Sequence, residues 1–534
     1  MRTTCSLHRL LCGTLVLTAP LAAATCDGLA GLKLAGATIT AAQTVAPGAF
    51  TAPGSPADDP ALATYRRLPA FCRVQGVIQP SSDSHIEFEV WLPAAGWNGK
   101  YRGVGNGGFA GSIGYTGLAG TLAAGYASSS TDTGHRADGT DASWALGHPE
   151  KMVDFGYRAI HETSEKSKQI IRAFYGNNPD RSYFSSCSNG GRQALMEAQR
   201  YPEDYDGIIA GAPANFFTRV GDGFMWDVQA TESDPASYIP ESKLPAIESA
   251  VLAACDASDG LKDGVIDDPR KCHFDPATLL CRGSESTSCL TQPQVAALQK
   301  IYGGPRDSKG AQIYPGFLPG GETGPGGWRA WITGSAPGKS LQYAFATSGF
   351  ASTIFENPAW NFRSFNFDRD VKFADDKLAS RFNATDPNLK AFQSRGGKLI
   401  IYHGWSDPAL PPQNTVTYYL SVVAKMGEKT AGGFARLYMA PGMQHCGGGP
   451  GPNIFGAAPS AQADPQHSMS AALERWVENG TAPDKIIATK YKIDGNPASG
   501  VARTRPLCPY PQVARYSGSG SIDEAANFAC VDGR

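Results

Sequence analysis

The sequence predicts an α/β architecture built on a mainly parallel sheet and interrupted by a long insertion. Three observations point there. Short strand-like runs alternate with segments of helical period between residues 86 and 213. That rhythm stops after Pro213 and the strand pattern resumes at Gly397. The residues with reactive side chains fall just beyond predicted strands, where open α/β sheets bind their ligands.

The elements follow in order. Residues 1–25 read as a secretory signal: Arg2, His8 and Arg9 precede an apolar run over 10–24, and Ala22-Ala23-Ala24 offers a cleavage site. The run is short for a membrane anchor. A lipoprotein signal ending at Cys26 stays open, although Thr25 is a poor neighbour for a lipidated cysteine. Residues 26–65, rich in Ala, Thr and Pro, read as an extended and poorly regular stretch. Strands are predicted at 86–92, which alternates apolar and polar residues, at 100–104, and at 126–130. The second opens into Gly105-Asn106-Gly107-Gly108-Phe109-Ala110-Gly111, a glycine loop that reads as having no helix after it and lacks dinucleotide-binding spacing. A helix over 155–175, a strand over 181–186, a helix over 193–200 and a buried strand over 206–213 complete the first half. Residues 214–390 read as an inserted lid domain. Strands at 397–403 and 435–439 and a helix at 470–479 close the catalytic domain, which comprises 26–213 and 391–534.

Composition narrows the class. With 534 residues, 42% of them hydrophobic, the chain builds a large core and has room for more than one domain. Only 18% are charged, the net charge is −2, and no basic run occurs, which argues against nucleic-acid or membrane partners. Of twelve cysteines, Cys5 and Cys12 leave with the signal. The remaining ten, in a chain bound for an oxidising compartment, predict five disulfides. Local spacing suggests Cys255–Cys272, Cys281–Cys289 and Cys508–Cys530. Cys26 and Cys72 then pair, leaving Cys187 and Cys446 for each other. Ten cysteines allow about 945 connectivities, so this pairing is an inference.

Cys187 precedes Ser188, and Cys446 follows His445. A bond between the two sulfurs requires Cα atoms within roughly 4.4–6.8 Å, which makes the serine and the histidine neighbours. Ser188 sits between a strand and a helix among small residues (Ser186, Gly190, Gly191), as an exposed nucleophile requires. A helix-capping serine explains that position equally well. Asp407, in His403-Gly404-Trp405-Ser406-Asp407-Pro408, and His445 each follow a predicted strand. The order Ser188, Asp407, His445 is that of α/β-hydrolases. In that reading His445 is the base, Asp407 fixes its tautomer, and the N–H groups of Asn189 and of Gly107 or Gly108 form the oxyanion hole. An ordinary turn aspartate and a solvated loop histidine are the plainer readings of Asp407 and His445.

Asp256, Asp259 and Asp263, with the carbonyls of Leu261 and Val265, offer hard oxygens to a Ca2+ ion, although the spacing is not that of an EF-hand. A solvated acidic turn is the alternative. His135, after Asp132-Thr133-Gly134 and near the expected site, reads as a structural hydrogen-bonding residue, with a place in the pocket lining as the alternative. Trp226, Trp328, Trp331, Trp360, Phe362, Phe365 and Phe367 of the insertion read as its own core or as a grip for an aromatic acyl group.

These residues resemble the tannase and feruloyl esterase family. The resemblance rests on Cys187-Ser188-Asn189-Gly190-Gly191, Gly404-Trp405-Ser406-Asp407-Pro408, His445-Cys446, the loop from Cys255 to Val265, and Asp132-Thr133-Gly134-His135, and it spans essentially the whole mature chain. It implies an α/β-hydrolase core with a large lid, a Cys187–Cys446 bridge, a structural Ca2+ in the lid, and a small aromatic ester as substrate: ferulate or another hydroxycinnamate, gallate, or a terephthalate half-ester. An inactive lid-capped binding protein and a carbohydrate-active hydrolase with paired carboxylates are the rival classes. The sequence leaves open the preferred acyl group and alcohol, the oligomeric state, and periplasm versus full export.

Overall fold

The computed structural model describes residues 24–459 and 463–533. The predicted signal at 1–25 lies almost wholly outside them. A nine-stranded sheet forms the centre: β1 (Ala37–Val45), β2 (Phe71–Ile78), β3 (Ile86–Pro93), β4 (Lys100–Val104), β5 (Ala127–Thr131), β6 (Arg181–Cys187), β7 (Gly207–Gly211), β8 (Lys398–Gly404) and β9 (Ala435–Ala440). Their spatial order is β1-β2-β3-β5-β4-β6-β7-β8-β9. The first three strands and the β3–β5 pair are antiparallel, and every pair from β5 to β9 is parallel.

Alternate residues of the parallel strands serve two cores, as the two-residue period of a strand demands. Phe184, Ile208, Leu399 and Ile401 face one layer with Ile170, Leu195 and Val416. Tyr183, Ile209, Ile400 and Tyr402 face the other with Leu473 and Trp476 of the helix Met469–Asn479. Both faces are therefore covered, which is the condition for a parallel sheet.

Between β7 and β8 the chain leaves the sheet and builds helices Phe217–Glu232, Leu244–Cys255, Gln292–Gly303, Leu341–Gly349 and Asp370–Phe382. Part of this insertion has its own core around Ile247, Leu298 and Trp328. The rest shares an aromatic cluster with Phe109, Trp144 and Phe155 of the sheet domain.

The structure departs from the sequence expectation in several places. Residues 26–65 are not uniformly irregular, because β1 pairs along β2 as an edge strand. A helix, Tyr115–Ala123, does follow the glycine loop. The helix expected from residue 155 is the last part of a longer helical run: Pro149–Val153 leads through a π-turn, Asp154–Arg158, into Ala159–Tyr175. Beyond the last helix the chain adds two hairpins, β10 (Ile486–Tyr491) with β11 (Val501–Leu507) and β12 (Gln512–Tyr516) with β13 (Phe528–Asp532).

Five disulfides join Cys26–Cys72, Cys187–Cys446, Cys255–Cys272, Cys281–Cys289 and Cys508–Cys530. With its sulfur in a disulfide, Cys26 has no thiol left for lipidation. No helix among the described residues is long and apolar enough to cross a membrane.

Candidate active site

Ser188 stands at the turn between β6 and the helix Asn189–Arg200, with φ +65° and ψ −126°. Few L-residues adopt that backbone. It is held there by neighbours: the Ser188 N–H donates to Gly211 O at 2.9 Å, and its carbonyl accepts from the Arg192 and Ala214 N–H groups, both at 3.1 Å. Its hydroxyl makes no capping bond to the helix, which removes the capping alternative. The turn also needs its glycines. A Cβ on Gly190 would lie 1.9 Å from Ser186 Oγ, and one on Gly191 would lie 2.2 Å from Gly211 O.

The helix start is fixed by Arg192, a fully buried side chain that the sequence reading passed over. Its guanidinium donates to Asn189 Oδ1 at 2.7 Å, Gly156 O at 2.7 Å, Phe155 O at 3.0 Å and Phe382 O at 3.3 Å. Burial lowers its pKa to about 9, so it stays cationic at neutral pH. Gln193 ties the glycine loop to the same helix, since its Oε1 accepts from Asn106 N–H at 2.9 Å.

The Cys187–Cys446 bond brings the two Cα atoms to 6.0 Å and the loop after β9 to the serine turn. Within that loop His445 Nδ1 bonds Asp407 Oδ2 at 2.8 Å. Asp407 is completely buried. Burial alone would raise its pKa, but the charge of His445 and the hydrogen bonds from His403 and His445 hold it well below the usual carboxylate range. Its other oxygen accepts from the N–H groups of Ala409 and Leu410 at 2.8 and 2.9 Å.

His403, the first residue of the motif that carries Asp407, has a role that the sequence does not show. Its Nε2 lies 3.0 Å from Asp407 Oδ2 and 3.1 Å from Leu410 O. Two acceptors at one nitrogen place the proton on Nε2. Nδ1 then receives the Thr415 hydroxyl at 2.8 Å. His403 thus orients the aspartate that orients His445.

Ser188, Asn189 and Gly108 open on one cavity of about 760 Å3 of empty space, part of it open to solvent. Gly108 has φ +54°, and a Cβ there would lie 2.3 Å from Gly139 O, so only glycine fits. Gly107 lies one residue back and is absent from the cavity wall. Trp331 is also on the wall, with its ring 4.8 Å from the His445 ring and edge-on to it. The other tryptophans of the insertion serve packing: Trp328 is in its core, Trp226 packs on Phe367, and Trp360 stacks on Phe355.

The profile of the family described as tannase and feruloyl esterase matches residues 72–531. The chain belongs to that family. It is 46% identical over 542 aligned positions to an uncharacterised esterase of Xanthomonas campestris, with 97% of this chain and 93% of that protein covered. It is 37% identical to a mono(2-hydroxyethyl) terephthalate hydrolase of Piscinibacter sakaiensis, covering 88% of this chain and 86% of the other. The crystal structure of feruloyl esterase B from Aspergillus oryzae superposes with a TM-score of 0.84 at 29% identity, over 95% of this chain and 99% of that one. The fold is that of the α/β-hydrolases, and this family member is a carboxylic ester hydrolase.

Two features lie outside the cavity of this esterase. His135 Nε2 donates to Phe109 O at 2.7 Å, and the ring stacks on Trp144 at 3.8 Å. Burial lowers its pKa from 6.5 to about 4, against the pull of the Phe109 carbonyl. The unfolded chain therefore takes up this proton near pH 6.5 and the folded one only near pH 4. Stability present above pH 6.5 is expected to fall by on the order of 3 kcal/mol as the pH drops toward 4. Thermal melts between pH 4 and 8 check this, and the fall should be shallower for His135→Gln.

In the acidic loop of the insertion, Asp256 accepts from Gly264 N–H at 3.0 Å and Asp259 from Leu261 N–H at 2.9 Å. Asp263 instead pairs with Arg503 at 3.0 Å and Arg505 at 2.6 Å. Among the described residues no group of three or more His, Cys, Asp or Glu side chains converges as a metal shell. The oxygen-only donor set suits a hard cation, and neither Asp256 nor Asp259 forms an ion pair with a cationic side chain among the described residues.

Proposed function

We propose that this esterase is secreted and cleaves esters of phenolic acids, hydroxycinnamates such as ferulate first, through an acyl-enzyme on Ser188. Gallate esters and terephthalate half-esters are the alternative acyl classes. The observation that carries the serine mechanism is the bridged pair of loops. One presents Ser188 on a strained turn, and the other presents a histidine whose Nδ1 is already engaged by a buried carboxylate.

The steps follow from that arrangement. With Nδ1–H on Asp407, His445 keeps Nε2 as the basic nitrogen. Ser188 Oγ attacks the ester carbonyl carbon as its proton passes to Nε2. The carbonyl electron pair moves onto oxygen, where the N–H groups of Asn189 and Gly108, with Gly107 beside it, stabilise it. Collapse breaks the bond to the alcohol oxygen, which takes the proton from His445. Water then repeats the sequence with His445 as base, releasing the acid and restoring Ser188. The insertion acts as a lid, supplying most of the aromatic wall of the cavity.

Incubation with a fluorophosphonate should add one label, on the peptide carrying Ser188, and stop hydrolysis of methyl ferulate. Label on another residue, or undiminished turnover after labelling, would overturn the assignment.

Secretion is supported by the signal pattern at 1–25 and by five disulfides in one chain. The proposal includes a structural Ca2+ held by Asp256, Asp259 and Asp263 with the carbonyls of Leu261 and Val265, Asp263 being shared with Arg505. Bound there, the ion would supply positive charge to a crowded acidic loop and no chemistry to the ester. Chelation should lower the melting temperature, since an ion held at a hundred times its Kd adds about 2.7 kcal/mol. An unchanged melt, with no calcium in elemental analysis of the purified protein, would end this part of the proposal.

A further inference from the structure

The wall of the active-site cavity holds no Asp, Glu, Lys, Arg or His among the described residues. Its side-chain polar groups are those of Ser188, Asn189, Thr218 and Thr353 and the indole N–H of Trp331. The two threonines and the asparagine are already engaged. Thr218 Oγ1 donates to Asp375 at 2.6 Å and accepts from Asn383 at 3.1 Å. Thr353 Oγ1 donates to the Gly349 carbonyl at 2.7 Å, inside a π-turn, Phe350–Ile354, that forms part of the wall. Asn189 Oδ1 accepts from Arg192 at 2.7 Å.

Three cations near this wall are already paired; one of them, Lys377, donates to the Ile354 carbonyl at 2.7 Å and pairs with Glu356 at 2.7 Å. Arg192 lies with its guanidinium 5.3 Å from the Phe217 ring centroid, but four of its five N–H donors are committed to Asn189 and three backbone carbonyls, and the side chain is fully buried. Arg219 pairs with Asp222 and Asp375. What remains facing the cavity is aromatic and aliphatic: Phe217, Phe224, Phe345, Phe350 and Ile354, with Trp331 beside His445.

We infer that this pocket selects uncharged aromatic acyl groups and rejects those bearing a second, ionised carboxyl. The inference rests on the reading that acylation occurs on Ser188 and removes terephthalate half-esters from its alternatives. A carboxylate entering the pocket sheds its water and meets neutral donors at best and no counter-charge, and burying an unpaired charge is the most expensive burial available to a polar group. A neutral ring meets only π faces and methyl groups, which suit it. Added phenolic hydroxyls cost far less than a charge, because an apolar pocket rejects an extra hydroxyl only about 10²-fold at most.

The test compares kcat/KM for dimethyl terephthalate and monomethyl terephthalate, each divided by its own rate of alkaline hydrolysis. The two share the ring and the reacting methyl ester and differ in the group para to it. The neutral diester is expected to be favoured by about 10³-fold or more, beyond the penalty of an added hydroxyl. A preference under tenfold, any preference for the anion, or refusal of the diester by an enzyme that hydrolyses methyl ferulate would overturn the inference. Absence of turnover on methyl ferulate itself would strike the proposed function instead, so the two failures are distinguishable.

Discussion

Ser188→Ala is expected to lower kcat on methyl ferulate by about 10⁶-fold while the melting temperature stays near that of the parent enzyme. The size follows from serine hydrolases in which removal of the nucleophile costs about as much as removal of the whole triad. Preserved stability follows from the contacts of this residue. Its backbone N–H and carbonyl make the bonds that hold the turn, and its hydroxyl makes no capping bond. Alanine keeps the Cβ and loses only the oxygen. Residual hydrolysis would come from the oxyanion donors acting on bound water, and it should no longer respond to a fluorophosphonate. A loss under tenfold, in a folded protein, would show that the ester is attacked by some other group. His445→Ala in the same background should add little, because the two residues act as one unit.

How much of this was legible beforehand depended on whether a residue's role is local. The parallel strands stood out because they are short, apolar and bounded by turns, and β6, β7, β8 and β9 form close to where the pattern placed them. The edge strand β1 escaped because half of its side chains face solvent and its register shifts between Ile39 and Ala41, which breaks any alternation. β2 escaped for a different reason: both its faces are covered, and Arg73 sits inside it bonded to Glu89. Nothing in the sequence of an Arg within Phe-Cys-Arg-Val says that its partner lies on the next strand. The first C-terminal hairpin carries Lys490, Arg503 and Arg505, which reads as surface loop until Asp263 of the insertion supplies the counter-charge to the two arginines and Asp494 to the lysine.

At the site the same division holds. The adjacency of Cys187 to Ser188 and of Cys446 to His445 is written in the chain, and one pairing of sulfurs converts it into a spatial statement. His403 is four residues from Asp407, but its contact with Oδ2 exists only because the turn through Ala409 and Leu410 folds back beneath the strand. Arg192 gave no signal at all, because an arginine three residues after Asn189 on a helix looks like a solvated charge. Trp331 belonged to a group of aromatics that sequence could not sort, since core and cavity wall have the same composition.

Opening the Cys187–Cys446 bond is expected to lower kcat by about 10²-fold, with a smaller change in KM, in Cys187→Ser/Cys446→Ser or after mild reduction. The argument starts from the backbone. Cys446 is a non-glycine residue with φ +61°, next to His445, and Ser188 at φ +65° follows Cys187. Such conformations cost on the order of 1–3 kcal/mol each and persist only where the surroundings enforce them. The serine turn keeps its restraint without the bond, through Gly211, Ala214 and Arg192. The histidine loop keeps less: Gln444 donates to Gly321 O at 2.9 Å and Met443 O accepts from Ser406 N–H at 3.1 Å before His445, and beyond it the Gln444 N–H closes the turn on Gly448 O at 3.2 Å and Lys490 donates to Gly449 O, but none of these bonds is made by Cys446 itself. Freed of the sulfur, Cys446 relaxes toward negative φ and carries the imidazole with it. A displacement of about 1 Å at a catalytic group is worth on the order of 10² in rate. The cavity is lined mainly by the insertion and the glycine loop, so substrate binding should change less. Reoxidation should restore the rate in the reduced wild-type enzyme and not in the double serine variant. Full kcat with both sulfurs shown to be free thiols would mean that the hydrogen bond to Asp407 and the Gln444 anchor suffice to place His445, and that the bond contributes to stability alone.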